Sequence, residues 1–195
     1  MNEQDFSYIY SLSVFYCNEL EEMNNMENLD IEDTSDIYVM AYVDSGTKYQ
    51  TDLHYRCSTG QGSFNWRMLI PIEFPRNKFD LTLQAFDKDI LSKDDFICGA
   101  RLNLSSILND VNILDLPIKL SSDYYSSLPV EKRFSNVQFA GRDEDEEGVK
   151  FWVQMEKNGK KGGRVLISVE VMPQWYADLD PVGKGRGEPN MNPYL

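Results

Sequence analysis

Residues 80–104 read "DLTLQAFDKDILSKDDFICGARLNL". On the left, Leu81, Leu83 and Ala85 alternate with Thr82 and Gln84; on the right, Ala100, Leu102 and Leu104 alternate with Arg101 and Asn103. That period of two belongs to strands with one face in a core. The connection "DKDILSKDDF" (87–96) crowds Asp87, Asp89, Asp94 and Asp95 around two apolar neighbours, Ile90 and Leu91. Two questions follow: what relieves the charges, and what the apolar pair touches.

Similar runs rich in β-branched and aromatic residues extend outward in both directions. They are "YIYSLSVFYC", "IYVMAYV", "KYQTDLHY" and "FNWRMLIPIEF" before the acidic stretch, and "KFWVQME" and "RVLISVEVMP" after it. Together with the two strands around the acidic loop they make eight, which predicts an all-β chain folded as an eight-stranded antiparallel β-sandwich. "DSGTK" (44–48) and "STGQGS" (58–63) carry turn chemistry, and Asn158-Gly159 between the last two runs is a strong hairpin signal. Residues 105–149 break the rhythm between strands six and seven. They are too long for an ordinary connection and are expected to be an insertion, with "SSILND" a short helix and "GRDEDEEG" an exposed acidic loop. The domain is therefore expected to occupy 1–174. From 175 to 195 the chain is Pro-, Gly- and Asn-containing without a period, as in an extended linker.

A length of 195 residues suffices for one well-buried domain. The net charge of -13 repels phosphate, which argues against nucleic acid as a partner and against unaided binding to anionic lipid. Cys17, Cys57 and Cys98 form no close-spaced pair, so they read as reduced thiols of a cytosolic protein rather than a disulfide framework or zinc site. No apolar run approaches the roughly 20 residues that span a bilayer. His54 is the only histidine, and no serine or cysteine is placed by motif to use it as a base. "GKGRGE" (183–188) follows no strand and opens no helix, so it is not a phosphate loop. The sequence reads as a binding module rather than an enzyme.

A second acidic cluster lies far from the first in sequence. In "NLDIEDTSDIYV", Asp36 opens a strand and Asp30, Glu32 and Asp33 precede it. Loops at one end of an antiparallel sandwich can converge. Two carboxylates about 4 Å apart repel by roughly 4 kcal/mol at an effective dielectric of 20, so five together require protonation or a cation. An all-oxygen cup of aspartates suits calcium, which takes 6 to 8 oxygens in flexible geometry. An EF-hand is excluded, because counting from Asp87 puts Ser92 where the glycine belongs and Cys98 where the bidentate glutamate belongs.

Asp30, Asp36 within "SDIYV", and Asp87, Asp89 and Asp95 within "FDKDILSKDDFICG" resemble the calcium-binding loops of C2 domains. With a strand before the first loop and a strand ending the chain, the order resembles the circularly permuted type II topology of that family. "QTDLHYR", "GSFNWRMLIPIEF" and the tail "PVGKGRGEPNMNPYL" are similar to the carboxy-terminal C2 domain of ferlins. The resemblance implies a calcium-dependent phospholipid-binding module acting in vesicle fusion, exocytosis or membrane repair. It would work on the cytosolic face of a vesicle or plasma membrane, with the tail leading toward a transmembrane helix absent here. The implied ligands are Asp30, Asp36, Asp87, Asp89 and Asp95. Because the first loop is long, Asp33 is the alternative to Asp30. Ile90 and Leu91 then become the tip that enters the lipid boundary. Lys48, His54, Arg56 and Arg67 are the candidate patch for phosphoinositide headgroups. The other reading open at this point is a calcium-independent interaction domain whose insertion binds a protein such as fusion machinery.

Overall fold

The computed structural model describes residues 7–18, 35–58, 60–73, 75, 78–89, 92–141 and 148–179. The strands are β1 (Ser7–Asn18), β2 (Ser35–Val43), β3 (Tyr49–Gln50), β4 (His54–Cys57), β5 (Gly62–Glu73), β6 (Asp80–Asp87), β7 (Asp95–Asn103), β8 (Ile118–Lys119), β9 (Val137–Phe139), β10 (Lys150–Lys157) and β11 (Lys160–Pro173). The α-helices are α1 (Ser105–Leu114), α2 (Ser122–Ser127) and α3 (Gln174–Leu179).

All pairings are antiparallel, in the order β3-β2-β6-β7-β10-β11-β1-β5, with β4 on β2, β8 on β11 and β9 on β10. A single pair, Gly99 with Glu156, joins β7 to β10, and there the sheet folds over into a sandwich. Ile37, Val39, Leu81 and Leu83 come from one side of the core and Phe64, Ile70, Phe151, Val165 and Ile167 from the other. A large aliphatic or aromatic side chain fully buried in this way stabilises by about 1.5–3 kcal/mol. The fold-over leaves no room for side chains. A Cβ on Gly162 would stand 2.6 Å from the Cys98 Cβ, and one on Gly99 would stand 2.9 Å from the Leu83 carbonyl oxygen.

All eight expected runs are strands, and Asn158 and Gly159 turn β10 into β11 at φ 52° and 77°, the left-handed pair that a two-residue hairpin needs. The third run, however, forms two short strands rather than one. Thr51 is buried, its Oγ1 accepts the Val39 N–H at 3.0 Å and donates to the Asp52 carbonyl at 2.8 Å, so a hydroxyl takes over where the backbone ladder stops. Residues 105–149, expected as an insertion, are also more regular than that reading supposed. They contribute β8 and β9, which extend the sheet along β11 and β10, as well as helix α1. Ile107, Leu108 and Val111 fall on one face of α1 and are buried, which is the spacing of an amphipathic helix. Its end is closed by Asp115 at φ 52°, whose N–H bonds the Val111 carbonyl at 2.8 Å. Beyond Pro173 an aperiodic arm was expected from 175; instead residues 174–179 form α3, with Ala177 buried and the Trp175 indole N–H donating to Asp115 Oδ1 at 3.0 Å. That anchor joins residues 60 apart and leaves no local signature. Residues 142–147 of the acidic "DEDEE" loop and 180–195 of the tail lie outside the described residues. No helix among the described residues is long and apolar enough to cross a membrane.

Candidate functional site: the acidic end of the sandwich

Strand register gathers the aspartates. Ile37 pairs with Asp87 across β2 and β6, and Asp87 pairs with Asp95 across β6 and β7. Asp36, Asp87 and Asp95 therefore sit on three neighbouring strand ends at one pole of the sandwich, and Asp89 follows two residues beyond the end of β6. Asp30 and Asp33, together with Ile90 and Leu91, lie outside the described residues.

Backbone donors hold the carboxylates in place. Asp87 Oδ1 accepts the Asp36 N–H at 2.8 Å, and Asp36 Oδ1 accepts the Arg56 N–H at 2.8 Å, with Arg56 at φ 53°. The Lys88 N–H bonds the Asp36 carbonyl at 2.9 Å, which locks the start of the acidic connection to β2. Asp89 Oδ2 accepts the Ser92 hydroxyl at 2.7 Å.

The cost of this crowding falls on Asp87. Burial pushes its carboxyl above the ordinary value, bonds from Ser35 and the Asp36 N–H pull it back, and the charges of Asp89 and Asp36 push it up again. Asp94 behaves in the opposite way. The Tyr38 hydroxyl, donating to Asp94 Oδ2 at 2.7 Å, and the Lys88 ammonium hold its carboxyl below the ordinary range. Lys88 Nζ stands 2.9 Å from one Asp94 oxygen and 3.1 Å from the other. Sequence reasoning gave Tyr38, Lys88 and Ser92 no part in the site. Lys88 and Ser92, on the same loop as Asp89 and Asp94, had a local signal; Tyr38 had none.

Of the four basic candidates, His54 and Arg56 share β4, while Lys48 stands apart from Arg56 along β2. Arg56 lies at the acidic pole beside Asp36. Lys48 lies toward the other end of β2, with its ammonium over the Tyr42 ring at 5.4 Å. Asp36 and Tyr42 are six residues apart along β2, about 20 Å at strand rise. His54 packs edge-on against Phe64, and burial lowers its affinity for a proton. Arg67 sits in β5, paired with Ser13 of β1.

Among the described residues no three His, Cys, Asp or Glu side chains stand close enough to hold a metal ion between them. The donor chemistry at the pole nevertheless fits a hard divalent cation. Every candidate is an oxygen, Asp36 and Asp87 are pinned by backbone N–H groups, and burial and neighbouring charge hold Asp87 against its ionised form.

A sequence model described as the C2 domain matches residues 11–117, more than half of the chain. The chain belongs to the C2 domain family. This C2 domain is similar over most of its length to ferlins. It is 29% identical over 213 residues to Myoferlin of Xenopus tropicalis, covering 95% of the chain and 11% of that protein. With Ferlin 2 of Tetrahymena thermophila it is 26% identical over 170 residues, covering 83% of the chain and 8% of that protein. The chain thus spans about a tenth of the length of the curated relatives it matches. Among solved structures, a single C2 domain of plant Extended Synaptotagmin 1 superposes with a TM-score of 0.51 at 11% identity, covering 85% of this chain and 95% of that one. The calcium-bound pair of C2 domains from Extended-Synaptotagmin 2 gives 0.51 at 14% identity, covering 84% of this chain and 45% of that one. At these identities the two structures establish the fold of the C2 domain and nothing finer.

Proposed function

We propose that this C2 domain is a calcium-dependent phospholipid-binding module of a ferlin-like protein acting in vesicle fusion or membrane repair. The observation that carries the reading is the position of Asp87, bonded to Asp36, facing Asp95 in register, and raised in pKa by burial and by the charges of Asp89 and Asp36. A pole that gathers ionised carboxylates beyond what the protein neutralises favours the binding of a cation.

Asp36, Asp87, Asp89 and Asp95, with Asp30 or Asp33 from the first loop, would hold the ion. Calcium bound there would bring the charge of five aspartates from -5 to about -1 for two ions and offer coordination positions to lipid phosphate oxygens. Without it, the chain's net charge of -13 repels an anionic surface. Ile90 and Leu91, between the aspartates, would enter the acyl boundary, each contributing about 1.5–3 kcal/mol when fully inserted. The same arrangement suits the cytosolic face of a vesicle or plasma membrane, where anionic lipid and a changing calcium level coexist.

Two measurements test this. Calorimetric titration of the chain with calcium should give saturable binding that Asp87→Asn removes. Co-sedimentation with anionic vesicles should require calcium, and changing Ile90 and Leu91 together to Ser should lower vesicle affinity and make the remainder sensitive to salt, because the apolar part is unscreened while the electrostatic part decays over about 8 Å. Equal vesicle binding in calcium and in chelator contradicts the reading and favours a calcium-independent interaction domain.

A further inference from the structure

The acidic connection carries cations of its own, Lys88 and Lys93. Lys88 lies between Asp87 and Asp89, and its backbone is fixed to β2 through the Asp36 carbonyl. An ammonium on a flexible stem at that position is a built-in competitor for an ion at the pole. It would neutralise one carboxylate directly, and it is present at a high effective concentration because it is tethered.

The structure shows that ammonium held elsewhere. Side chains alternate along an extended chain, which sends Lys88 away from the face that Asp87 uses. There it meets Asp94, both oxygens within 3.1 Å. Asp94 is itself held in place. The hydroxyl of Tyr38, a residue only 3% exposed, donates to it from β2, and the backbone N–H of Asp89 supplies a further bond. Tyr38 is fixed in turn by stacking on Phe86 at 5.5 Å, and Phe86 meets Phe96 edge-on at 5.7 Å. The Lys88–Asp94 pair is 45% and 21% exposed, so as a surface ion pair it contributes little to stability. A buried tyrosine and two aromatic rings are a large support for so weak a pair, and the arrangement makes sense if what matters is where the ammonium is not.

We propose that Asp94 is a positioning residue which keeps the Lys88 ammonium off the carboxylates of Asp87 and Asp89, leaving them free for an added divalent cation. The proposal rests on the cation-binding reading given above. It differs from a through-space charge effect in a measurable way. If Asp94 merely adds a negative charge near the ion, and Lys88 a positive one, then Lys88→Met raises calcium affinity by the same factor whether or not Asp94 is present. If Asp94 sequesters Lys88, then Lys88→Met changes little in the parent chain and much in the Asp94→Asn background, where the ammonium has moved onto the cup.

The test is a double-mutant cycle on the 195-residue chain, with the parent, Asp94→Asn, Lys88→Met and the double variant, read two ways. In calorimetric titration with calcium chloride, Asp94→Asn should lower affinity about fivefold, the worth of one unit charge at close range in a watery environment. Lys88→Met should restore it in that background while altering the parent less than about twofold. In thermal melting with chelator, Lys88→Met should lower the melting temperature more in the Asp94→Asn background than in the parent, because there it removes the counter-ion of Asp87 and Asp89. An ordinary ion pair gives the reverse, a second substitution that costs less than the first. Equal effects of Lys88→Met in both backgrounds, in either reading, overturn the proposal. If the parent chain binds no calcium, the proposed function fails, while the melting cycle still decides where the freed ammonium goes.

Discussion

The two poles of this sandwich hold their chains together by opposite means. At the pole that carries the insertion, contacts are apolar and dense. Leu104 and helix α1 cover the core with Ile107, Leu108 and Val111, and Tyr125, Phe134 and Phe139 form a chain of rings that ends on Phe151, the last two 5.3 Å apart. Its polar groups are closed within the protein, with the Tyr125 hydroxyl on the Phe134 carbonyl at 2.6 Å and the Tyr124 hydroxyl on Asp110 at 2.7 Å. At the acidic pole the chain is held by backbone N–H groups on carboxylates, and like charges face one another. One pole is optimised for the folded state alone. The other keeps an unfavourable arrangement that protonation or, on the proposed reading, an added cation would relieve, the usual compromise between stability and a functional site.

The largest effect expected is at the first pole. Phe151 is fully buried where the insertion meets the core, so Phe151→Ala should cost about 3–5 kcal/mol in denaturant unfolding, and calcium affinity of the folded fraction should stay unchanged. A loss of calcium affinity in that variant would show that the poles are coupled and break the comparison. A smaller effect is expected in α2, whose first turn is capped by Ser121 Oγ accepting the Tyr124 N–H at 3.2 Å. Ser121→Ala should cost about 1 kcal/mol by the same measurement, again without effect on calcium binding.

The smallest effect expected is a dependence on pH at the acidic pole. Burial, with the charges of Asp89 and Asp36, lifts the Asp87 carboxyl above its ordinary value in the folded chain, so between the unfolded and folded values the native state binds more protons. Stability in chelator should therefore fall as pH rises through that window, the opposite sign to a carboxylate held by a cation. Asp94, held below its ordinary value by Tyr38 and Lys88, contributes in the usual sense, with stability lost as pH falls through its folded value. Melting in chelator across mildly acidic pH should show the first slope weaken in Asp87→Asn. No change of slope would mean that burial and neighbouring charge do not lift the Asp87 carboxyl in the folded chain.

Much of this was legible in the sequence because it is local. The alternation on both sides of residues 87–96 gave two strands, Asn158-Gly159 gave a turn, and the antiparallel arrangement then brought Asp36 and Asp87 to the same pole without any side-chain detail. What was not legible depends on partners distant in sequence. Thr51 splits a strand by bonding to Val39, Trp175 fastens α3 to Asp115, and Tyr38 reaches Asp94 across 56 residues. Asp94 was left out of the implied ligand set, and its partner Tyr38 lies where no spacing rule connects the two. The basic candidates show the converse case. Lys48 and Arg56 are close in sequence, but β3 and β4 run along β2 and carry them apart.

The most direct test of the central claim, that burial and like charge strain the acidic pole and that calcium relieves it, is thermal melting of the parent chain and Asp87→Asn in chelator and in calcium. In calcium at about a hundred times the dissociation constant the parent should gain about 2.7 kcal/mol for one site. Asp87→Asn should lose most of that gain yet melt no lower than the parent in chelator, because its amide can still accept the Asp36 N–H without carrying a charge. A parent that calcium leaves unshifted, or an Asp87→Asn variant clearly less stable than the parent in chelator, would contradict the account.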